Sequence, residues 1–161
     1  MVWKGKMIRA VFWDNDGVLV DTEKLYFQAT RELLLRTGVT LTEALFRQIS
    51  LVDGRSAFDL AKAKGVSGEE IERLHEERNR RYMELLTGGV SVMDGVEEIL
   101  AALRGRVFLA IVTSSRREHF DAIHTGTGLL SWFDFVLTRE DYVLSKPNPE
   151  PYLTALKKSG F

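Results

Sequence analysis

Three short apolar runs, each stopping abruptly in polar residues, set the pattern of this chain. Residues 7–13 (MIRAVFW) end in Asp14-Asn15-Asp16-Gly17, residues 107–112 (VFLAIV) in Thr113-Ser114-Ser115, and residues 133–137 (FDFVL) in Thr138-Arg139-Glu140-Asp141. Mostly apolar runs of this length suit parallel strands buried on both faces. Strands that stop in polar loops along one edge are how an open parallel sheet builds a site.

Between the first two runs the period becomes helical. Residues 23–37 place Leu25, Ala29 and Leu33 four apart, Leu34 widens the stripe, and Gly38 ends it. Ser56–Asp59 (SAFD) reads as a capping box opening a helix that stops at Gly65. Ser67–Glu70 (SGEE) reads as a second, opening a helix with Ile71, Leu74, Arg78, Tyr82 and Leu85 on one side. Asp94–Glu97 (DGVE) starts another, with Val96, Ile99, Leu100 and Leu103 apolar and Gly105 at its end. A parallel crossover needs only about a dozen residues, far fewer than stand here. The pattern therefore predicts an α/β protein: a Rossmann-like parallel-sheet core from residues 1–21 and 88–161, with residues 22–87 inserted as an α-helical cap domain.

Composition narrows the function. With 161 residues the chain can bury one ordinary core and a small accessory domain. Its 22 basic and 23 acidic residues leave a net charge of −1, which offers no electrostatic footprint for nucleic acid. The absence of cysteine excludes disulfides, thiolate catalysis and Cys-based zinc sites. Lys4, Lys6 and Arg9 precede the apolar Val11-Phe12-Trp13, but Asp14 cuts that run at once, so neither a signal peptide nor a membrane span is expected. A soluble, cytoplasmic, monomeric protein is the expectation. His75, His119 and His124 lie among charged residues and are expected to be solvated. Residues 76–81 (EERNRR) read as a solvated helix face, and Trp132, Phe133 and Phe135 as core.

Asp14-Asn15-Asp16-Gly17 carries the most chemistry. Carboxylates at i and i+2 can converge on one pocket if the backbone turns out of the strand, and Gly17 permits that turn. A carboxylate attacks phosphorus usefully when a divalent cation screens the mutual repulsion of the anions. A second acid can protonate the leaving oxygen and then activate water. An isolated Asp-x-Asp-Gly is more often a plain turn; here two further phosphate-type motifs follow in order. Thr113-Ser114-Ser115 ends the second strand where a helix would begin, and hydroxyls with free N–H groups there can cradle an anion, although a simple helix cap is the commoner role. Lys146, in Ser145-Lys146-Pro147-Asn148-Pro149, sits where prolines restrict the backbone and Pro149 can begin a helix. Taken alone, it is a surface lysine in a turn.

Together, VFWDNDGVLVDTE, IVTSS and LSKPNPEPY resemble the first three motifs of the haloacid dehalogenase superfamily, and the helical insert resembles the subfamily of phosphoglycolate phosphatase and beta-phosphoglucomutase. The resemblance implies a magnesium-dependent phosphohydrolase that acts on a small phosphorylated metabolite through an aspartyl-phosphate. It implies that Asp14 is the nucleophile and a Mg²⁺ ligand. Asp16 would be the acid/base, with its carbonyl on the metal, Thr113 and Ser114 would bind the phosphoryl group, and Lys146 would stabilise it. Asp16 also argues against dehalogenation, because dehalogenases of this superfamily lack that acid. Thr22 matches the hinge after the first motif, Arg55 a substrate-specificity loop, and Arg78 a basic cap position facing the substrate. The family's fourth motif, a strand-borne acidic pair that completes the magnesium ligands, is absent from these residues, and Glu140 or Asp141 is too early to supply it. Weak magnesium binding and slow turnover are therefore expected.

Three other readings compete. A signalling receiver domain shares the doubly wound sheet, acids, hydroxyl and lysine, but it has no helical insert of this size. A non-catalytic, ligand-binding remnant of the fold is favoured by the missing acidic pair. A sugar-phosphate mutase is disfavoured by Tyr26 and Ala57, which stand where mutases of the family carry histidine and arginine.

Overall fold

The computed structural model describes residues 2–3 and 6–161, with side chains described from Met7 onward; Lys4 and the side chain of Lys6 lie outside the described residues. The chain forms two compact units, Glu23–Gly88 and the segments on either side of it.

The unit Glu23–Gly88 is helical. α1 spans Glu23–Arg36, α2 spans Glu43–Phe46 and runs into a π-helical turn over Arg47–Val52, α3 spans Asp59–Ala63, and α4 spans Gly68–Leu86. α1 buries Phe27, Ala29, Thr30, Leu33 and Leu34 along one stripe. α4 answers with Ile71, Leu74, Arg78, Tyr82 and Leu86. Leu86, not Leu85, takes the last buried position, because four residues separate it from Tyr82 and return it to the same face. Phe46, Ala57, Phe58 and Ala61 close the core between them. Ser67 caps α4 by accepting the Glu70 N–H at 3.2 Å. The capping box expected at Ser56 does not form: the Ser56 hydroxyl accepts the Phe58 N–H at 3.2 Å instead, and α3 opens at Asp59 without a side-chain cap. Tyr26 and Ala57 belong to this interior. The Tyr26 ring stands edge-on to Tyr82 with centroids 5.2 Å apart, and Ala57 is buried.

The other unit holds the sheet. β1 (Val2–Trp3) and β2 (Lys6–Met7) form a short antiparallel pair. β3 (Ala10–Trp13), β4 (Phe108–Val112) and β5 (Phe135–Leu137) form a parallel sheet in the order β3-β4-β5. Trp13 pairs with Ile111, and Val112 with Leu137, so the strands end nearly level. β4 is central, and Leu109 to Val112 are buried, as its unbroken apolar run requires. α5 (Val96–Leu103), α6 (Arg117–His124) and α7 (Glu150–Ser159) complete the unit. Asp94 does not cap α5; Gly95 holds that position with φ 80°, and Ile99 is exposed. The helix expected directly after Thr113 starts only at Arg117. Trp132, Phe133 and Phe135 are half-buried rather than fully enclosed.

The histidine expectation fails. α6 buries His119, Phe120, Ile123 and His124, a spacing that puts both histidines on its apolar face. His75 is half-buried against the Phe58 ring, with centroids 4.7 Å apart. The polar ends of the three strands also differ in use. Those of β3 and β4 converge, whereas that of β5 is a closed capping box in which the Asp141 carboxylate accepts from the Thr138 N–H at 2.7 Å and from its hydroxyl at 3.1 Å. Among the described residues, no helix is long and apolar enough to cross a membrane.

Candidate active site

β3 delivers its last residue, Trp13, directly into a tight loop. The carbonyl of Asn15 accepts the N–H groups of Val18, Leu19 and Val20 at 3.2, 2.8 and 3.3 Å, folding the chain back on itself. Gly17 closes the loop with φ 71° and donates its N–H to the Val20 carbonyl at 2.9 Å. A side chain at that φ would be strained, which is why glycine follows the second aspartate. The returning strand is tied to residues 91–93 through Asp21 N–H to Ser91 (2.9 Å) and Met93 N–H to Leu19 (3.0 Å).

This loop sets both carboxylates against the ends of the neighbouring elements. Asp14 Oδ2 lies 2.7 Å from Lys146 Nζ, and Lys146 also donates to the Val112 carbonyl at 3.3 Å, which places the cation over the end of β4. Asp14 Oδ1 accepts the Asn15 N–H at 2.8 Å. Asp16 is held by four donors: Thr22 Oγ1 at 2.7 Å on Oδ1, and on Oδ2 Ser115 Oγ at 2.6 Å, Thr113 Oγ1 at 3.3 Å and Asn15 Nδ2 at 3.3 Å. Thr113 is itself buried and fixed, its N–H on the Leu137 carbonyl at 3.0 Å and its carbonyl accepting the Tyr142 hydroxyl at 2.8 Å. Asp14 stays partly open to solvent, with 41% of its side chain exposed, while Lys146 retains 18%.

Asp14, Asp16, Thr22, Thr113 and Lys146 therefore meet at one end of the sheet. Ser114 does not join them: it is exposed, and Ser115 supplies the serine hydroxyl that reaches Asp16. The chain bends at Ser114 and Ser115, and the Ser115 N–H donates to the Thr113 hydroxyl at 3.0 Å; this local turn brings the Thr113 and Ser115 hydroxyls to the same carboxylate. In the helical unit, Arg55 is exposed and paired with Asp53 at 3.0 Å. Arg78 is nearly buried, its guanidinium 4.4 Å from the Tyr26 ring centroid and donating to Asn79 Oδ1 at 2.9 Å.

Sequence reasoning passed over three residues of this end of the sheet: Ser115, Asn15 and His124. Asn15 is fully buried, and His124 Nε2 lies 2.7 Å from its Oδ1. Burial pushes the His124 imidazole down to about 4, against the opposing pull of the Asp16 and Asp121 charges. The i, i+1, i+4, i+5 placement of His119, Phe120, Ile123 and His124 was the available signal. Asp14 and Asp16 supply two carboxylates close together, and among the described residues no cluster of three acidic or histidine side chains forms a complete metal site. The Asp14 carboxylate and the Asp16 backbone carbonyl are oxygens of the kind a magnesium ion takes, its other oxygens coming from water and substrate.

An acid pair after the first parallel strand, a hydroxyl after the next and a lysine over both define a phosphoryl-handling α/β hydrolase. The sequence profile of the haloacid dehalogenase-like hydrolases matches residues 11–161, and the chain belongs to that family. It is 33% identical over 156 residues to a phosphorylated carbohydrates phosphatase of Thermotoga maritima, covering 94% of this chain and 70% of that protein. To the validoxylamine A 7'-phosphate phosphatase of Streptomyces hygroscopicus subsp. limoneus it is 32% identical, covering 92% of this chain and 70% of the relative. The fold matches the crystal structure of a predicted phosphoglycolate phosphatase from Haemophilus somnus 129PT with a TM-score of 0.80 at 22% identity, covering 96% and 72% of the two chains.

Proposed function

We propose that the protein is a magnesium-dependent phosphatase of small phosphorylated metabolites, sugar phosphates foremost, working through a phosphorylated Asp14. The observation that carries this reading is the 2.7 Å pair of Lys146 and a partly exposed Asp14 beside an Asp16 fixed by hydroxyls. Relatives named as phosphatases of phosphorylated carbohydrates and of validoxylamine A 7'-phosphate support the substrate class.

In the proposed reaction an Asp14 carboxylate oxygen attacks phosphorus, and the bond from phosphorus to the ester oxygen breaks. Asp16 gives its proton to that oxygen, releasing the alcohol. A water then gives a proton back to Asp16 while its oxygen attacks phosphorus. The acyl-phosphate bond breaks, freeing inorganic phosphate and regenerating the Asp14 carboxylate. Lys146 neutralises charge on the transferring group, and the Thr113 hydroxyl binds one of its oxygens, with the backbone N–H of Ser114, rather than its exposed hydroxyl, as a second donor. Magnesium, held by Asp14 and Asp16, would screen the repulsion between nucleophile and phosphate. Residues 22–87 are proposed as the cap that selects the substrate, with Arg55 and Arg78 as its basic residues and Thr22 at the hinge.

The test is turnover of p-nitrophenyl phosphate and of a panel of sugar phosphates with magnesium. The wild-type chain releases phosphate, and Asp14→Asn reduces release to background. Undiminished turnover in that variant would exclude Asp14 as the nucleophile.

A further inference from the structure

We infer that His124 is a positioning residue for the two aspartates, acting through a single buried hydrogen bond to Asn15. This rests on reading Asp14 and Asp16 as the reacting pair, but it concerns a residue outside that chemistry.

Asn15 stands between the two acids, is fully buried, and uses its backbone and its side-chain amide to hold them. Its N–H is on Asp14 Oδ1 at 2.8 Å, its carbonyl gathers the N–H groups of Val18, Leu19 and Val20, and its Nδ2 donates to Asp16 Oδ2 at 3.3 Å. The remaining polar atom, Oδ1, lies 2.7 Å from His124 Nε2. Chemistry fixes the direction of these bonds. A carboxylate accepts, so the amide must turn its Nδ2 to Asp16 and its oxygen to the histidine. His124 Nε2 therefore carries a proton, and in the neutral ring Nδ1 accepts from the Thr127 hydroxyl, 3.0 Å away. The bond joins α6 to the loop after β3, across 109 residues of sequence. Without it the Asn15 side-chain amide loses the contact that sets its rotation, and with it the Nδ2 that touches Asp16; the loop whose backbone N–H holds Asp14 then loses its anchor to α6. Buried donors and acceptors cannot turn to water for a substitute.

A residue that merely filled space would be replaced by any side chain of similar size. The structure requires something narrower, a donor at the Nε2 position. His124→Leu keeps bulk and removes the donor; His124→Gln presents an amide N–H near the place of Nε2. On folded protein, His124→Leu is expected to lower kcat for p-nitrophenyl phosphate roughly 10- to 100-fold, with KM little changed, since small misplacements of reacting groups cost about that much. His124→Gln is expected to restore kcat to within about threefold.

Amide hydrogen exchange gives a readout that needs no turnover. The Val18, Leu19 and Val20 amides should exchange at least about tenfold faster in His124→Leu and at the wild-type rate in His124→Gln, since local opening sets the exchange rate. Should the wild-type chain show no phosphatase activity, the proposed function fails while exchange alone decides the positioning role. Equal exchange in all three proteins, or a kcat in His124→Leu within twofold of wild type, overturns the inference. So does a His124→Gln variant no better than His124→Leu.

Discussion

Acidification should destabilise this protein through His124, and the size of the effect follows from its burial. The imidazole is 6% exposed and neutral in the fold, its affinity for a proton reduced from the ordinary 6.5 to about 4 chiefly by burial. The unfolded chain takes up a proton near pH 6.5, and the folded chain does not until about pH 4. Below 6.5 the unfolded state thus binds more protons, and stability falls with pH until the folded value is reached. Above 6.5 the contribution is fully present. Each pH unit between those two values is worth about 1.4 kcal/mol, so about 3 kcal/mol is at stake over the whole window and about 2 kcal/mol of it is lost between pH 7.5 and pH 5. For a chain of this size, that is about 4–8 °C in Tm.

The perturbation is His124→Leu. It leaves Asn15 Oδ1 without its donor at every pH, a constant cost of about 1–3 kcal/mol, and it removes the titration. Other titrating groups are common to both proteins. Urea unfolding followed by circular dichroism at pH 7.5 and pH 5 should show the wild-type advantage shrinking by about 2 kcal/mol on acidification. Parallel losses in the two proteins would mean that His124 titrates alike in the folded and unfolded chains, and the argument from burial would be wrong.

Ser115→Ala removes the 2.6 Å hydroxyl contact on Asp16 and should lower kcat about tenfold, equivalent to about 1.4 kcal/mol; an unchanged kcat would show that Thr22 and Thr113 hold the carboxylate by themselves. Phe58→Ala empties the centre of the helical unit, where Phe58 is 1% exposed, and should cost about 3–5 kcal/mol by urea unfolding, against less than about 1 kcal/mol if the site collapses fully.

Much of the architecture is legible because it depends on local pattern. The apolar run over residues 107–112 suits a strand covered on both faces, and β4 occupies that place. The stripe on α4 gives its buried face to within one residue, Leu86 replacing Leu85, and that on α1 holds at Ala29, Leu33 and Leu34, whereas Leu25 is only half-buried and Phe27 and Thr30 join the buried face. Caps are less legible. Ser56 and Asp94 satisfy the motif, but a hydroxyl or carboxylate caps whichever N–H its own backbone angles allow, and at these positions the chain turns otherwise. The serine that reaches Asp16 lies one residue beyond the expected Ser114 for a similar reason. Thr113-Ser114-Ser115 announces a hydroxyl cluster, but the bend after β4 decides that the first and third reach the same carboxylate.

The order of the motifs by itself determined the family, the parallel sheet and the meeting of Asp14, Asp16, Thr113 and Lys146, because each chemical group follows directly from an element whose type is locally encoded. Only the tertiary structure decided what surrounds them. That Lys146 bridges Asp14 and the end of β4, that four donors fix Asp16, and that His124 is buried and neutral against Asn15 all arise from contacts between residues distant in the chain. The affinity of a side chain for a proton and the partner of a buried amide depend on what excludes water from them, and that is a property of packing.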